Sequence, residues 1–441
     1  MNQKSIDMNT LLRFMKECLN ASKGNTDKGL AGNCLLNGRS FQLTSESTND
    51  RLIGLREWVR ANRRWKVESS GFKKLSDSKI LVSLGGMPSS KAVVEYIQYS
   101  NGGDVGCVFS RDEINAWEEI SGADKFAFHL FALTITLRCL LSKKRVNLAL
   151  LLRAAQVNYF LLKKVERFGI EKVYNFVPFE VDSNLQSLLL KEAGVKVTFI
   201  PSSGPLGTWN RIMICDEVVF STPYHDEEKV VFSNTMRFDK VLRWGPEKAY
   251  GYIQRYLENR PNTAMKTMGF YSHGSWLRLK LGHVQTEMNL AGAEDQCVVL
   301  IKDFLQLHPD FSLVIFAHPR EKSKQNWKDT QLHYEKLFSG FTWKFSDLNT
   351  PSSHAFEQAD IGVSTFSTIV YERLHAGYKT IICNYGIQNF PMKNSTLNAI
   401  TFEDVKGLEH QVNEISSLSE DQFFHKKNLI GYRNDKLNQK N

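Results

Sequence analysis

The chain lacks the features that mark several specialised classes of protein. Its 441 residues contain seven cysteines, scattered without a Cys-x-x-Cys pair. This pattern argues against a disulfide framework or a structural zinc site, and it is typical of a reducing compartment. The sequence also has no low-complexity tract and no cluster of Asp or His with metal-ligand spacing. We therefore expect an ordinary folded protein with no metal and no other cofactor.

Long apolar runs are missing as well. The most apolar segment, Phe126–Leu141, is shorter than the roughly 20 residues of a membrane-spanning helix, and it contains His129 and Arg138. We expect a buried core helix there, with contact to a membrane surface as the alternative. The N-terminal stretch MNQKSIDMNTLLRFMKE is too charged for a signal peptide. The expected location is the cytoplasm.

Positive charge is in excess. The chain has 56 Lys and Arg against 47 Asp and Glu, a net charge of +9. This predicts an anionic partner, which could be nucleic acid, an acidic membrane surface or a phosphorylated substrate. Because no RNA-binding aromatic signature and no zinc-finger spacing is present, we do not expect nucleic acid. Peripheral contact with the inner face of the plasma membrane stays an expectation.

Short apolar runs alternate with helical patterns along most of the chain. This alternation predicts an α/β fold with parallel, doubly wound sheets. Residues 1–75 are polar and partly helical and are expected to extend the first domain. One Rossmann-like domain is predicted over residues 76–250 and a second over residues 251–441, joined by a connector that contains Trp244-Gly245-Pro246.

The most informative motif follows the predicted strand Ser312–Ala317. This apolar run stops abruptly at His318, Pro319 and Arg320. Ligands of open α/β sheets gather outside the carboxyl ends of the strands. A histidine and basic groups at such an end would hold a phosphate through charge-assisted hydrogen bonds. The alternative is a structural turn with a solvated basic surface.

A second polar segment follows the predicted strand Ile361–Val363. It places four hydroxyl side chains at the start of a helical pattern and a carboxylate one turn further: Ser364, Thr365, Ser367, Thr368 and Glu372. The unpaired N–H groups and the dipole of a helix start make an anion site. The carboxylate could accept both hydroxyls of a ribose. The alternative is that one hydroxyl caps the helix and that the carboxylate is a surface group.

A weaker signal lies in the loop Tyr271–Ser275, after the first predicted strand of the second half. Glycine lets a bound group approach the backbone closely. We therefore expect Ser272 and Gly274 to contact a bound substrate, either the phosphates of a group donor or the acceptor of that group. The alternative is a structural turn, because turns between a strand and a helix usually contain a small residue.

Together, the His-Pro dipeptide after a strand and the Ser/Thr segment that opens a helix resemble the GT-B glycosyltransferases. Residues 267–402 most resemble bacterial sialyltransferases and related transferases that use CMP-activated nonulosonic acids or Kdo. In those families the two motifs bind the CMP phosphate and ribose, which implies these roles for His318, Pro319, Ser367 and Thr368, with Ser364 nearby. The resemblance implies two Rossmann-like domains facing a central cleft and a CMP-linked sugar as co-substrate, without a metal.

The sequence departs from this family at the general base. The sialyltransferases carry an acidic-acidic-Gly motif in their N-terminal half, and here Gly102-Gly103-Asp104 has the wrong order. The candidate bases are therefore Glu180 and Asp182, which follow the predicted strand KVYNFV, with His225 and Asp226 in reserve. Alternatively, Asp182 caps the next helix and Glu180 is a surface charge.

The resulting hypothesis is the transfer of a CMP-activated sialic acid-like or Kdo-like sugar to a cell-surface glycan or glycolipid, such as lipooligosaccharide or capsule. Three alternatives stay open. The protein could be a CDP-glycerol-type polyol-phosphate transferase, a GT-B transferase that uses a UDP- or GDP-sugar, or a catalytically silent subunit that binds a nucleotide sugar.

Overall fold

The computed structural model describes residues 13, 73–74, 79–84, 107–110, 120–141, 148–175, 181–200, 212–219, 235–237, 240–242, 266–282, 290–365, 367–385 and 396–434. Contacts divide the chain into two compact units. The first contains residues 1–202, 206–220 and 231–243, and the second contains the remainder. The connector around residue 250 lies outside the described residues, so the domain boundaries stay predictions.

The first unit contains a mostly parallel sheet. Its described strands are β1 (Lys73–Lys74), β2 (Ile80–Leu84), β3 (Cys107–Ser110), β4 (Lys172–Asn175), β5 (Lys196–Phe199), β6 (Ile212–Ile214), β7 (Glu217–Val219), β8 (Thr235–Arg237) and β9 (Lys240–Leu242). The sheet order is β1-β3-β2-β4-β5-β7-β9, and only the edge strand β1 is antiparallel to its neighbour. β6 and β8 form a separate parallel pair.

Three helices of this unit are described: α1 (Gly122–Leu141), α2 (Leu148–Phe168) and α3 (Val181–Glu192). α1 packs on α2, where the Phe128 ring lies 5.6 Å from Tyr159 and 5.5 Å from Phe160. The prediction of a buried core helix is correct for this face only. The opposite face of α1 exposes apolar side chains, because they recur at helical spacing on that side too: Phe126, Leu130, Leu133 and Leu137.

The second unit contains a fully parallel sheet of six strands among the described residues. These are β10 (Thr267–Tyr271), β11 (Ser312–Phe316), β12 (Trp343–Phe345), β13 (Ile361–Ser364), β14 (Thr380–Cys383) and β15 (Thr401–Phe402). The order is β12-β11-β10-β13-β14-β15. This is the strand order of the Rossmann fold, in which the connections reverse direction between β10 and β13.

The helices of the second unit cover this sheet. They are α4 (Ser275–Lys280), α5 (Leu290–Leu307), α6 (Trp327–Leu337), α7 (Thr368–His375), α8 (Val405–Ser416) and α9 (Glu420–Lys426). Met268 and Phe270 of β10 are fully buried in one core cluster with Ile301, Val412 and Phe423 from α5, α8 and α9. Parallel strands with both faces covered give the continuous apolar runs that the sequence shows.

The other face of the second sheet is built around a buried arginine. Arg373 of α7 is fully buried, and its guanidinium donates to Tyr271 Oη at 2.6 Å and to three backbone carbonyls. Gly362 of β13 leaves the space for it, because a Cβ there would lie 2.4 Å from Arg373 Nε. The predicted fold class, α/β with two Rossmann-like halves, is confirmed by the two sheets.

None of the helices in the described parts of the chain combines the length and hydropathy that crossing a bilayer requires.

Candidate functional site

The predicted site residues of the second half gather at the carboxyl edge of the second sheet. Tyr271 and Phe316, the last residues of β10 and β11, are register partners, and Phe270 is paired with Val363 of β13. Three segments therefore leave the sheet side by side: they begin at Ser272 after β10, at Ala317 after β11 and at Thr365 after β13. They flank the point between β10 and β13 where the connections reverse, which is where ligands of this fold bind.

A buried carboxylate of α5 fixes the loop after β10. Glu294 accepts from Ser272 Oγ at 2.7 Å, from the His273 N–H at 2.8 Å and from the Ser275 N–H at 2.9 Å. The Gly274 N–H donates to Ser272 Oγ at 2.8 Å. Ser272 and Gly274, both predicted to contact a donor, thus have protein partners: the Ser272 hydroxyl donates to Glu294 of α5, and the Gly274 N–H donates to Ser272.

Gly274 lies in close contact with another segment of the protein, whereas the sequence predicted close approach of a bound group. Its φ of +63° lies in the left-handed region that favours glycine. A Cβ at this position would lie 3.3 Å from the Cβ of His318 and 3.4 Å from the Cγ of Glu321. The absence of a side chain at Gly274 therefore lets the loop after β10 pack against the turn after β11. The groups that approach the glycine closely are His318 and Glu321.

A second buried carboxylate holds the turn after β11. Glu321 is fully buried and accepts from the His318 N–H at 2.6 Å, from Tyr334 Oη at 3.1 Å and from Trp276 Nε1. Burial raises the pKa of Glu321, and the hydrogen bond from the His318 backbone opposes that rise. Because its donors come from α4, α6 and the turn itself, Glu321 fixes the position of His318.

His318 is a neutral hydrogen-bond donor at physiological pH. Burial, together with the nearby Arg278, His273 and Arg320, lowers its pKa to about 4. Its Nδ1 accepts the Arg320 N–H at 3.2 Å. The proton of the neutral ring is therefore on Nε2, because the nitrogen that accepts cannot also carry the hydrogen.

Basic groups from α4 and from two loops lie near His318. Arg278 of α4 is close enough to Arg320 that their repulsion, after burial, lowers the pKa of Arg278. Burial also lowers the pKa of His273. Two atoms here, His273 Nε2 and Arg278 Nε, are buried and have no hydrogen-bond partner among the described residues. The oxygens of Glu294 and Glu321 are already engaged by the donors described above, so the side chains left to meet a ligand are cationic or neutral donors.

The Ser/Thr segment divides into structural and available hydroxyls. Ser364 Oγ is buried and donates to the Tyr271 carbonyl at 2.9 Å, so it joins β13 to β10. Ser367 is the N-cap of α7 and accepts the Ile369 N–H at 3.5 Å. Thr365 is fully buried, and its Oγ1 has no hydrogen-bond partner in the protein. Thr365 is thus a buried hydroxyl with free hydrogen-bonding capacity at the point of reversal.

The remaining residues of this segment lie on α7. Thr368 is the first residue of the helix and is partly exposed. Glu372 is only 7% exposed, so the alternative that it is a surface group is wrong: this side of α7 packs into the domain. Pro319 and Arg320 are exposed in the turn after β11.

Of the predicted bases, Glu180 and Asp182 belong to the first unit, and the reserve candidates His225 and Asp226 belong to the second. α3 begins at Val181, so Asp182 is the second residue of the helix. It therefore does not occupy the N-cap position that was the alternative to a role as base. The side chain of Asp182 and the positions of Glu180, His225 and Asp226 lie outside the described residues. Their roles stay predictions. No group of three His, Cys, Asp or Glu side chains within the described residues could hold a metal ion.

Several residues of the site were not singled out from the sequence. Arg278 lies one turn into the helix that follows the loop after β10, and a basic residue at that spacing was the available signal. His273 lies in the loop Tyr271–Ser275, of which only Ser272 and Gly274 were predicted to contact a ligand. Glu294 and Tyr334 carry no local signal, since they reach the loops from helices that are distant in sequence.

Comparison with known proteins gives only distant likeness. No family model matches the chain, and no curated protein matches it. Solved structures similar to it include UDP-GlcNAc 2-epimerase from Neisseria meningitidis bound to UDP-GlcNAc, with 13% identity, coverage of 80% of this chain and 95% of that chain, and a TM-score of 0.43. The S. aureus MnaA–UDP structure has 8% identity, coverage of 81% and 92%, and a TM-score of 0.44.

A third similar structure is Acinetobacter baumannii MurG, with 10% identity, coverage of 80% and 93%, and a TM-score of 0.38. Likeness at this level carries no conclusion about activity. The resemblance to sialyltransferases stays a prediction.

Proposed function

We propose that this protein is a GT-B glycosyltransferase that binds a nucleotide-sugar donor at the carboxyl edge of its second sheet. One observation carries the proposal. His273 Nε2, Arg278 Nε and Thr365 Oγ1 are buried, and the described part of the chain offers them no hydrogen-bond partner; they lie after β10 and β13, on both sides of the reversal point. Buried polar groups in folded proteins nearly always have a partner, so three orphans at a ligand position favour a polar ligand.

The charge of the site suits a phosphate. The His318 Nε2–H and the guanidinium groups of Arg278 and Arg320 are donors, and hydrogen bonds from charged donors to phosphate are short and strong. The N-terminus of α7, at Thr368, adds the positive end of a helix dipole on the other side of the reversal point. Together these groups would stabilise the negative charge that develops on the leaving phosphate during transfer.

Transfer also needs a group that removes a proton from the acceptor hydroxyl. The carboxylates that the sequence offers for this role are Glu180 and Asp182 of the first unit, and a positioned carboxylate acts as a general base in such reactions. The carboxylates of the donor site do not suit the role. Glu294 and Glu321 are buried and occupied by donors from the protein.

The donor class is the finer part of the proposal. A CMP-linked nonulosonate carries a phosphate and a carboxylate, and a nucleoside diphosphate sugar carries two phosphates, so both match the two guanidinium groups. The sequence motifs favour the CMP-linked sugar, sialic acid-like or Kdo-like. The acceptor would then be a cell-surface glycan or glycolipid.

Calorimetric titration of CMP, CDP, UDP and GDP into the wild type and His318→Ala, without metal, tests the proposal. CMP binding that is weakened in His318→Ala supports the nonulosonate donor, and UDP or GDP binding supports a diphosphate sugar. Tight CDP binding followed by a product that contains phosphorus would assign a polyol-phosphate transferase instead.

Two further outcomes contradict the proposal. Nucleotide binding without transfer or donor hydrolysis, unaffected by Glu180→Gln and Asp182→Asn, would assign a silent binding subunit. If none of the nucleotides binds, the loops after β10, β11 and β13 are structural turns.

A further inference from the structure

We propose that the exposed face of α1 docks this protein on a membrane surface containing anionic lipids. The face carries Phe126, Leu130, Leu133 and Leu137, which are 65%, 51%, 55% and 51% exposed. Their spacing of four, three and four residues places them on one ridge, roughly 17 Å long at 1.5 Å per residue. The opposite face of α1 packs on α2 through Phe128, so the ridge is displayed by a helix that the fold holds in place.

Among the described residues, no other helix exposes four large apolar side chains in one line. Val299 and Leu307 are 47% and 59% exposed on α5, but they lie about two turns apart, and single apolar residues on a surface are common. Four large apolar side chains in one line form a contiguous patch. Contiguous apolar patches on folded proteins mark contacts with a partner or a membrane.

Charge near the ridge identifies the partner. The single acidic residue of α1 is Asp124, and its carboxylate is engaged by Ser121, Tyr159 and Lys163. α1 ends at Leu141, and the sequence continues with Ser142, Lys143, Lys144 and Arg145. Three consecutive basic residues thus follow α1 closely in the sequence.

An apolar ridge and a basic cluster are complementary signals for anionic lipid. Apolar side chains insert at the boundary between headgroups and acyl chains, and lysines and arginines are attracted to the negative surface. One signal alone gives marginal binding, whereas two together hold a protein on the membrane. The excess of basic residues over the whole chain adds to the same attraction.

A second copy of the chain fits the ridge less well. Four side chains that are about half exposed offer on the order of 400 Å² per copy, whereas specific interfaces bury about 800 Å² on each partner. Insertion into the headgroup region requires no matching protein surface. Lipid is therefore the expected occupant, and self-association is an outcome that the experiment distinguishes.

Vesicle flotation of the full-length protein tests this inference. The wild type is expected to float with vesicles of phosphatidylcholine and phosphatidylglycerol and to stay in solution with phosphatidylcholine alone. Leu130→Gln/Leu133→Gln should lower the partition coefficient by about tenfold or more, because two apolar side chains no longer insert. Lys143→Gln/Lys144→Gln/Arg145→Gln should also lower it, most strongly at low salt, where charge attraction is least screened.

The matched control is Val299→Gln/Leu307→Gln, which removes exposed apolar side chains from α5 and should float like the wild type. No flotation of the wild type, or equal flotation of Leu130→Gln/Leu133→Gln, overturns the inference. A wild-type dimer that this variant converts to a monomer, measured by light scattering, also overturns it and assigns the ridge to self-association. Nucleotide binding has no part in the experiment, so its result is independent of the proposed function.

Discussion

The backbone N–H of His318 donates to the Glu321 carboxylate at 2.6 Å, so a side chain three residues later fixes the turn that carries the histidine. Trp276 and Tyr334 donate to the same carboxylate from two different helices. The imidazole is thus positioned by buried protein groups before any ligand arrives. Such preorganisation lowers the entropic cost of binding, because the site does not have to be ordered at that moment.

Glu321→Gln should lower both stability and nucleotide affinity. A glutamine amide would present its NH₂ group to at least one of the three donors, and a buried donor left without an acceptor costs about 1–3 kcal/mol. Urea unfolding measures the first effect and calorimetry the second. Glu335→Gln, at an exposed position of α6, is the control. Equal losses in the two variants would show that Glu321 has no special role.

Stability should depend on pH through His318. Its pKa is about 4 in the folded protein, below the ordinary value of 6.5 expected in the unfolded chain. Between these values the unfolded state binds a proton that the folded state does not, so the free energy of unfolding falls as the pH falls. About 2–3 kcal/mol should be lost from pH 6.5 to pH 4 through this group. Urea midpoints of the wild type and His318→Gln across that range check this, and parallel curves for the two proteins would refute it.

Arg278→Gln should weaken nucleotide binding by about tenfold or more, since hydrogen bonds to charged groups contribute about 1.5–3 kcal/mol. Stability should change little, because Arg278 Nε has no partner in the protein to lose. Calorimetry at two salt concentrations should also show a shallower salt dependence in the variant. The control is Lys280→Gln on the same helix, where the lysine is exposed and paired with Asp329. Equal nucleotide affinity in Arg278→Gln and the wild type would place Arg278 outside the site.

Gly362→Ala should destabilise the second unit by roughly 2–4 kcal/mol, because overpacking at a well-packed position forces neighbours to move. A Cβ there would lie 2.4 Å from Arg373 Nε, and Arg373 is held by its hydrogen bonds. Gly122→Ala is the control, since a Cβ at that position meets nothing within 4 Å. Thermal or urea unfolding measures both variants. If they were equally stable, Arg373 would be free to shift, contrary to its contacts.

The sequence was sufficient to locate the loops of the candidate site but not to assign the work of each side chain. The ends of β11 and β13 could be predicted because a short apolar run that stops at His318 or Ser364 is a local signal. That Ser364 donates to Tyr271 and that Glu294 holds the loop after β10 depend on pairs separated by 93 and about 20 residues. No local pattern encodes such pairs, so hydroxyls and glycines with structural partners looked like ligand groups.

The exposed ridge of α1 was also not predicted from the sequence. Here residues that were expected to be buried are exposed. The apolar content of Phe126–Leu141 predicts burial, and one face is buried as expected. The position of α2 decides which face of α1 is buried, and composition alone does not predict that position.

The most direct measurement is calorimetric titration of CMP, CDP, UDP and GDP into Thr365→Val, with urea unfolding of the same variant. Valine keeps the shape of threonine and removes only the hydroxyl, which is fully buried and has no partner in the protein. We predict a variant at least as stable as the wild type that binds its nucleotide several-fold more weakly, because only the ligand loses a hydrogen bond. Unchanged nucleotide affinity in Thr365→Val would contradict the claim that the carboxyl edge of the second sheet is the donor site.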